Sequence, residues 1–512
     1  MLRDHPRAHK ASGQETRMRV LLASMPNVIE EIDRGGRFPS LGLVSLAGNS
    51  EGADVKVVDL VLVRGDLRRY WLELLGNYEP ELVGLSCMTF QYDTALELAK
   101  LAKSWNPRVK VALGGYHPTL MYEEIGEGPD AKYVDFVVRG EGEGTFGELV
   151  RELGRDEGNL DGIQGLSYRE GVDFHHNPPR PLLDLSGVRP PERNSRILKG
   201  FRAMGFRSDV VETSRGCTFD CSFCCIREMY GRSFRTYPLK RVIEDIRDAE
   251  AHGAEVVFFV DDNITLAPER LGELCDMIIS EGLNELHYMV QASVAGIVSR
   301  RELVLKMARA GFKVVFLGIE NVSVRNLKFL SKAKEAAEMA REAVSRLKEH
   351  GMFVMGGFVL GNPEDGEEDF WRNFEFAKSL KLDAPLFFIA TPYPKTALRE
   401  ALMGEGLVTN PDDFSKYTTY RANVRTRYLS SEDIERLEVR MYMKFMTPDY
   451  LKYTNFWKAS TLPFFFRRLL VDGSKALWYR FLSATGGDRA VLGAVMRGEG
   501  RRRRRWLLEG RP

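Results

Sequence analysis

A chain of 512 residues, 44% hydrophobic and 28% charged, is long enough for two or three separate cores and too apolar to be disordered. A formal charge of +1 excludes a whole-molecule field for nucleic acid, so any basic site has to be local and no nucleic-acid partner is expected. Residues 1–17 are polar and basic without the apolar centre of a secretion signal, and no apolar run is long enough for a membrane span, so a cytoplasmic protein is expected.

From Met18 the chain alternates short β-branched runs (MRVLLAS, VKVVDL, LVGLSCM, VKVALGG, FVVRG) with helical patterns such as TALELAKLAKSW. That alternation predicts a Rossmann-like, doubly wound α/β domain over residues 18–168. Such sheets receive ligands at the carboxyl ends of their strands. Those ends carry SMPN with Met25 and Pro26, SCMTFQ with Ser86, Met88 and Thr89, GGYHPT with Gly114, Gly115 and His117, and RGEGEGTF with Gly140, Glu141 and Gly142. The first helix opens on FPSLGL, with Leu41 and Gly42. Residues 169–208 are proline-rich and predict a linker.

Strand and helix patterns resume over residues 209–405, in VVETS, EVVFFVDD, LHYMVQAS, KVVFLGIE, FVMGGFVLG and APLFFIATPYP. The first of these runs leads into RGCTFDCSFCC, where Cys217, Cys221 and Cys224 are separated by three and then two residues. Three thiols are one too few for a closed zinc or electron-transfer site, whereas on a four-iron cluster they leave one iron open to an outside ligand. Cys225 adjoins the last of them, Cys275 is distant, and six cysteines in a chain of this length do not form a disulfide framework.

The CxxxCxxC spacing, the aromatic Phe223 before the last cysteine and the following strand–helix array resemble the radical S-adenosylmethionine (SAM) superfamily. The resemblance implies a partial (β/α)6 barrel, a [4Fe–4S] cluster on the three cysteines and SAM chelated to its open iron. At the strand ends, Asp261 or Asp262 would receive the SAM ammonium group, one of the two being explained equally well as a helix cap. Glu320 would accept from the ribose hydroxyls, with Gly318 allowing close approach. Gly357 and Gly361 would bring backbone against the adenine. Ser293 stands where the family often has a longer polar residue, and TPYPKTAL has Lys395 where the family has glycine.

The N-terminal loops resemble the cobalamin-binding (B12-binding) domain joined to one large class of radical SAM enzymes, which implies that the residues named above line a cobalamin groove. The D-x-H-x-x-G pattern that supplies an axial histidine elsewhere is absent. Cobalamin without a protein nitrogen ligand is therefore expected, with His117 packed at its strand end and the SCMTF loop beneath the metal. Residues 406–512 are helical in pattern, and from Leu451 to Pro512 carry fourteen Lys or Arg against four Asp or Glu, including the run Arg501–Arg505. A helical cap over the barrel is expected, with peripheral membrane contact through basic and aromatic segments as the alternative.

The expected function is cobalamin-dependent radical methylation of an unactivated carbon, through a 5′-deoxyadenosyl radical and methylcobalamin. An electron donor such as flavodoxin or ferredoxin and a large apolar substrate are the expected partners. Rival readings are an oxidative cyclase resembling the anaerobic tetrapyrrole cyclases, a methylthiotransferase, which would carry a further cysteine set upstream, and a cofactor-binding sensor or scaffold.

Overall fold

Runs of β-branched residues with no polar alternation bury both faces, which requires helices on either side of a parallel sheet. The chain meets this requirement twice. A computed structural model describes residues 17–26, 36–155, 157–332, 336–445, 447, 449–467, 470 and 474. The first sheet holds β1 (Met18–Ser24), β2 (Ala53–Asp59), β3 (Leu82–Ser86), β4 (Lys110–Gly114) and β5 (Phe136–Val138) in parallel, in the order β2-β1-β3-β4-β5. The order reverses at β1, so a crevice opens at the carboxyl ends of β1 and β3. Register brings one row of residues to that crevice: Asp59 pairs with Ser24, Ser24 with Ser86, and Ser86 with Gly114.

Two further strands continue this sheet, β6 (Leu166–Glu170) antiparallel to β5 and β7 (Asp173–His176) antiparallel to β6. The sheet thus runs into the stretch read as a linker. Both are short: β6 contributes Leu166 and Tyr168 to the core, while the edge strand β7 is mostly exposed and shows little apolar periodicity. Nor is the rest of that stretch loose. Arg193 is 1% exposed and is paired with Asp209, Asp245 and Asp248, while Ile197 N donates to Val57 O of β2 at 2.8 Å.

The second sheet takes β8 (Phe206–Val211), β9 (Val256–Phe259), β10 (His287–Ser293), β11 (Phe312–Glu320), β12 (Phe353–Leu360) and β13 (Ala384–Ile389) in sequential parallel order. Six parallel strands in that order, curled into a half-barrel, are the partial barrel expected. Its edge is extended antiparallel by Arg202–Ala203 and by Gly36–Arg37 from the N-terminal domain. The outer face is apolar and helix-covered, with Val257, Tyr288, Val290, Val315, Leu317, Val354 and Phe387 in one core. The alternate residues Phe258, Met289, Gln291, Phe316, Met355 and Phe388 stay partly exposed on the concave side.

The C-terminal region is helical where described. Helix Ser431–Phe445 packs on the barrel, and Phe387 N donates to Tyr442 Oη at 2.8 Å. Phe456 and Phe464 pack with Met204, Val314, Phe353 and Ala459, so the described part caps one end of the barrel. Arg501–Arg505 lie outside the described residues. Among the described residues no helix is long and apolar enough to cross a membrane.

Candidate active site

The cluster loop leaves the two-residue strand Ser214–Arg215, just beyond β8, and ends in helix Ile226–Tyr230. Asp261, at the end of β9 and 0% exposed, holds the loop's entry: it accepts from Thr213 N (3.0 Å), Thr213 Oγ1 (2.6 Å) and Ser214 Oγ. All its lone pairs therefore face protein. Asp262 Oδ2 accepts only from Gly216 N, at 2.9 Å, and burial raises its carboxyl to about 6, with Asp261 pushing the same way against the Gly216 N–H. Neither acid caps the following helical turn. That role falls to Asn263, which accepts from Thr265 N at 3.2 Å.

The three thiols form one electrostatic unit. Cys224, raised to about 12 mainly by burial, feels Cys221, Asp262 and Cys217, and Cys221 in turn feels Cys217. Cys217 is hydrogen-bonded by the Phe219 backbone and the Asn263 side chain. Cys225, also raised to about 12 by burial, lies by Tyr393. Among the described residues no three His, Cys, Asp or Glu side chains gather closely enough for a single metal ion.

Lys332 stands in the middle of this region, twelve positions beyond Glu320 in the chain. Its Nζ pairs with Glu320 Oε1 at 2.9 Å, hydrogen-bonds Cys221, and sits 5.7 and 5.8 Å from the ring centroids of Phe219 and Phe223. Glu320 itself has φ +68° and folds back over β11, so that a Cβ on Gly318 would lie 2.4 Å from its Oε1. Any side chain at Gly318 would have to displace that carboxylate. Gly357 lies under aromatic rings, where a Cβ would be 2.7 Å from Phe316 Cζ. Gly361, with φ +79°, is in a turn tied by Asp365. Ser293 caps helix Val294–Ser299, accepting from Gly296 N at 3.1 Å. The longer polar side chain on that face is Gln291, two residues earlier on β10, which the sequence reading passed over.

At the carboxyl ends of β1 and β3 there is a cavity of about 210 Å³ lined by Ser24, Met25, Phe38, Pro39, Ser40, Asp59, Val61, Ser86, Cys87, Met88, Gln91, Gly115 and Tyr116. Met25, Ser86, Met88 and Gly115 of the expected set are thus brought together. Met88 is 48% exposed although apolar. Gly115 has φ +95°, and a Cβ there would lie 2.8 Å from Cys87 O, so the loop leaves no room for a side chain.

Other members of the set do different work. Leu41 packs in a core, the Gly142 position lets helix Gly142–Leu153 approach Leu46, and Gly140 N donates to Thr119 Oγ1 at 3.0 Å. Thr89 is buried off the cavity, and Pro26, Gly42 and Gly114 do not line it. His117, 1% exposed, packs against Tyr92 in a tilted arrangement (4.5 Å) and edge-on against Phe414 (5.1 Å). Its Nδ1 has no partner, and burial lowers the ring to about 4.

Glu141 does not face the cavity either. Its carboxylate pairs with Arg215 (3.0 Å) and Arg235 (2.9 Å), and Glu143 pairs with Arg215 at 2.6 Å and accepts from Ser45 Oγ at 2.8 Å. Arg215 also meets Glu212 at 2.8 Å. The RGEGE loop of one domain is therefore bonded to the entry of the cluster loop in the other. Phe38 of the cavity reaches Phe258 of the barrel with ring centroids 5.1 Å apart. Lys395, held at φ +62° where glycine would be unstrained, reaches Glu124 of the first domain at 2.9 Å.

The two donor sets fit the two groups they imply. Three soft thiols within mutual electrostatic reach suit an iron–sulfur cluster. The crevice offers a glycine cradle and, at Asp59 Oδ2, a buried oxygen without a hydrogen-bond partner.

The chain matches the Radical SAM superfamily over residues 211–377 and the B12 binding domain over residues 32–150. It is 33% identical to "Uncharacterized methyltransferase PH0819" of Pyrococcus horikoshii, covering 84% of this chain and 92% of that one. It is 29% identical to the hopanoid C-3 methylase of Methylococcus capsulatus (70% and 68% covered) and 25% identical to the anaerobic magnesium-protoporphyrin IX monomethyl ester cyclase of Cereibacter sphaeroides (79% and 65%). Its fold resembles two solved structures. One is the radical SAM methyltransferase TsrM of Kitasatospora setae (TM-score 0.64, 18% identity, 77% and 79% covered). The other is the cobalamin-dependent radical enzyme OxsB (TM-score 0.67, 16% identity, 95% and 76%). The chain belongs to the radical SAM superfamily, in the group that joins a B12-binding domain to the radical SAM core.

Proposed function

We propose that the protein is a cobalamin-dependent radical SAM methyltransferase acting on an unactivated carbon. One residue carries the reading. Tyr116 lines the cavity of the first domain and hydrogen-bonds Tyr230 at the end of the cluster loop, with Asp262 and Cys224 close enough to push its hydroxyl pKa up beyond what burial does. The crevice and the cluster loop thus meet at one side chain, which supports the closeness that transfer between two cofactors requires. When bound, SAM on the cluster supplies a carbon-centred oxidant for a C–H bond and cobalamin supplies a methyl group.

The chain's own residues bind and orient. Cys217, Cys221 and Cys224 hold the cluster. Asp262, with an oxygen left over after Gly216, is placed to accept from the ammonium of SAM, and the Glu320–Lys332 pair offers one acceptor for hydroxyls and one donor for a carboxylate. Phe258, Met289, Phe316, Met355 and Phe388 make the concave wall apolar, which supports a large apolar substrate and keeps water from the reacting carbon. A one-electron donor such as flavodoxin or ferredoxin completes the requirement, in the cytoplasm. At the described C-terminal end, exposed Trp457, Leu462 and Phe466 beside Lys458 support peripheral contact with an apolar or membrane surface.

Anaerobic reconstitution with iron, sulfide, hydroxocobalamin, SAM and a reductant tests the reading. The expected result is 5′-deoxyadenosine together with S-adenosylhomocysteine, and a product heavier than its substrate by one methylene unit. The similarity to the cyclase favours oxidative ring formation as the second reading. That reaction would give no gain of a methylene unit and no S-adenosylhomocysteine. An intact cluster spectrum without 5′-deoxyadenosine would sink both readings and leave the sensor or scaffold.

A further inference from the structure

We propose that Asp59 anchors the corrin ring by accepting a hydrogen bond from one of its peripheral carboxamides. The inference rests on the cobalamin reading above. Asp59 ends β2, is 2% exposed and lines the cavity. Its Oδ1 is committed, accepting from Ser24 Oγ at 2.8 Å and from Ser40 N at 2.9 Å. Its Oδ2 is buried with no partner at all. A buried carboxylate oxygen left without a donor is unfavourable, so a ligand that brings one gains the hydrogen bond and relieves the penalty together.

The surroundings decide which donor. Ser40 precedes helix Leu41–Gly48, the first helix of the doubly wound domain, whose N-terminus is where such domains ordinarily hold phosphate. Here the protein's own carboxylate fills that position and uses the Ser40 N–H. Burial raises the Asp59 carboxyl, and the cation that acts against this, Arg196, spends both terminal nitrogens on Asp209 at 2.6 and 3.0 Å, leaving only its buried Nε unpaired. An anionic phosphate beside Asp59 would meet like charge beside a cation already shared with Asp209, whereas a neutral amide N–H meets only an acceptor. The corrin rim carries several such amides, and the nucleotide loop carries the phosphate. Asp59 therefore selects the rim and turns the phosphate elsewhere.

Asp59→Asn separates the roles of the two oxygens. It keeps an acceptor for Ser24 and Ser40 but puts an amide donor where Oδ2 stands. The full chain would be titrated with hydroxocobalamin and with dicyanocobinamide, which keeps the rim amides and lacks the nucleotide loop, following the corrin absorbance. The expected result is a loss of about ten-fold or more in affinity for both, with the unfolding midpoint unchanged. A further titration needs no variant: cobyrinic acid, with carboxylates in place of the rim amides, should bind the native protein about ten-fold more weakly than dicyanocobinamide. Unchanged affinity of the variant, a loss confined to hydroxocobalamin, or equal binding of cobyrinic acid would each overturn the assignment. If the native protein binds neither hydroxocobalamin nor dicyanocobinamide, the cobalamin reading itself falls, which is a distinguishable failure.

Discussion

At the scale of single residues, His117 joins a buried ring to a missing partner. Tyr92 and Phe414 flank the imidazole, Nδ1 has no hydrogen bond, and burial depresses the ring to about 4 from an ordinary 6.5. A base whose folded pKa lies below its unfolded one contributes stability above the unfolded value and loses it as pH falls toward the folded one. Between pH 7 and 5 the native protein should therefore lose about 2 kcal/mol more than His117→Phe does. Urea unfolding of both proteins at the two pH values checks this, and parallel losses would refute it. Residue by residue, the sequence marks the thiols well, because no common structural role needs three of them at that spacing. It does not separate Asp261 from Asp262. Adjacent acids look alike until one is seen enclosed by Thr213 and Ser214 and the other left with a free oxygen.

At the scale of elements, the site depends on how loops after successive strands meet. Lys332 comes from the segment after β11, and its ammonium group lies against Cys221 of the loop after β8. A cation beside a thiolate ligand stabilises the reduced, more negative cluster, so Lys332→Met should lower the cluster's midpoint potential on the order of 50 mV, about 1 kcal/mol for one electron. Iron content should stay the same, since the three cysteines remain. A redox titration followed by electron paramagnetic resonance reads the shift, and an unmoved potential would remove Lys332 from this role. No sequence signal points to Lys332, because a lysine shortly before a helix is ordinarily a solvated surface residue. Gln291 was legible in principle: period-two alternation puts it on the same face as Ser293, but its length matters only once Ser293 is seen to be used as a cap.

At the scale of the whole molecule, the two domains are locked through buried charge. Arg215 sits two residues before the first cluster cysteine and holds Glu141, Glu143 and Glu212, with side-chain exposures of 4%, 7% and 17%. Removing one member of such a cluster leaves uncompensated charge in the interior. Arg215→Met should cost about 3–5 kcal/mol, detectable by chemical denaturation, and should loosen the domains enough to make the linker segment near Arg193 susceptible to proteolysis. A small change in stability with an unchanged digestion pattern would show that the network is not the lock. The Lys395–Glu124 pair is about half exposed and belongs to the weaker kind of contact.

The sequence by itself determined the two α/β domains, the six barrel strands and the cysteine triplet, because these follow from local periodicity and from spacing within one loop. The glycine cradle at Gly115 was equally local, being a strand-end turn that no side chain fits. Only the tertiary structure decided what the strand-end acids are for. Glu141 and Glu143 lie next to glycines and look like cofactor contacts, yet their partners Arg215 and Arg235 are more than seventy positions away. Asp59 looks like any strand-terminal acid until the register of β1, β2 and β3 sets it beside Ser24 and Ser86 with one oxygen unmet. Charge pairing and orphaned hydrogen-bonding groups depend on distance in space, and a linear pattern does not carry that distance.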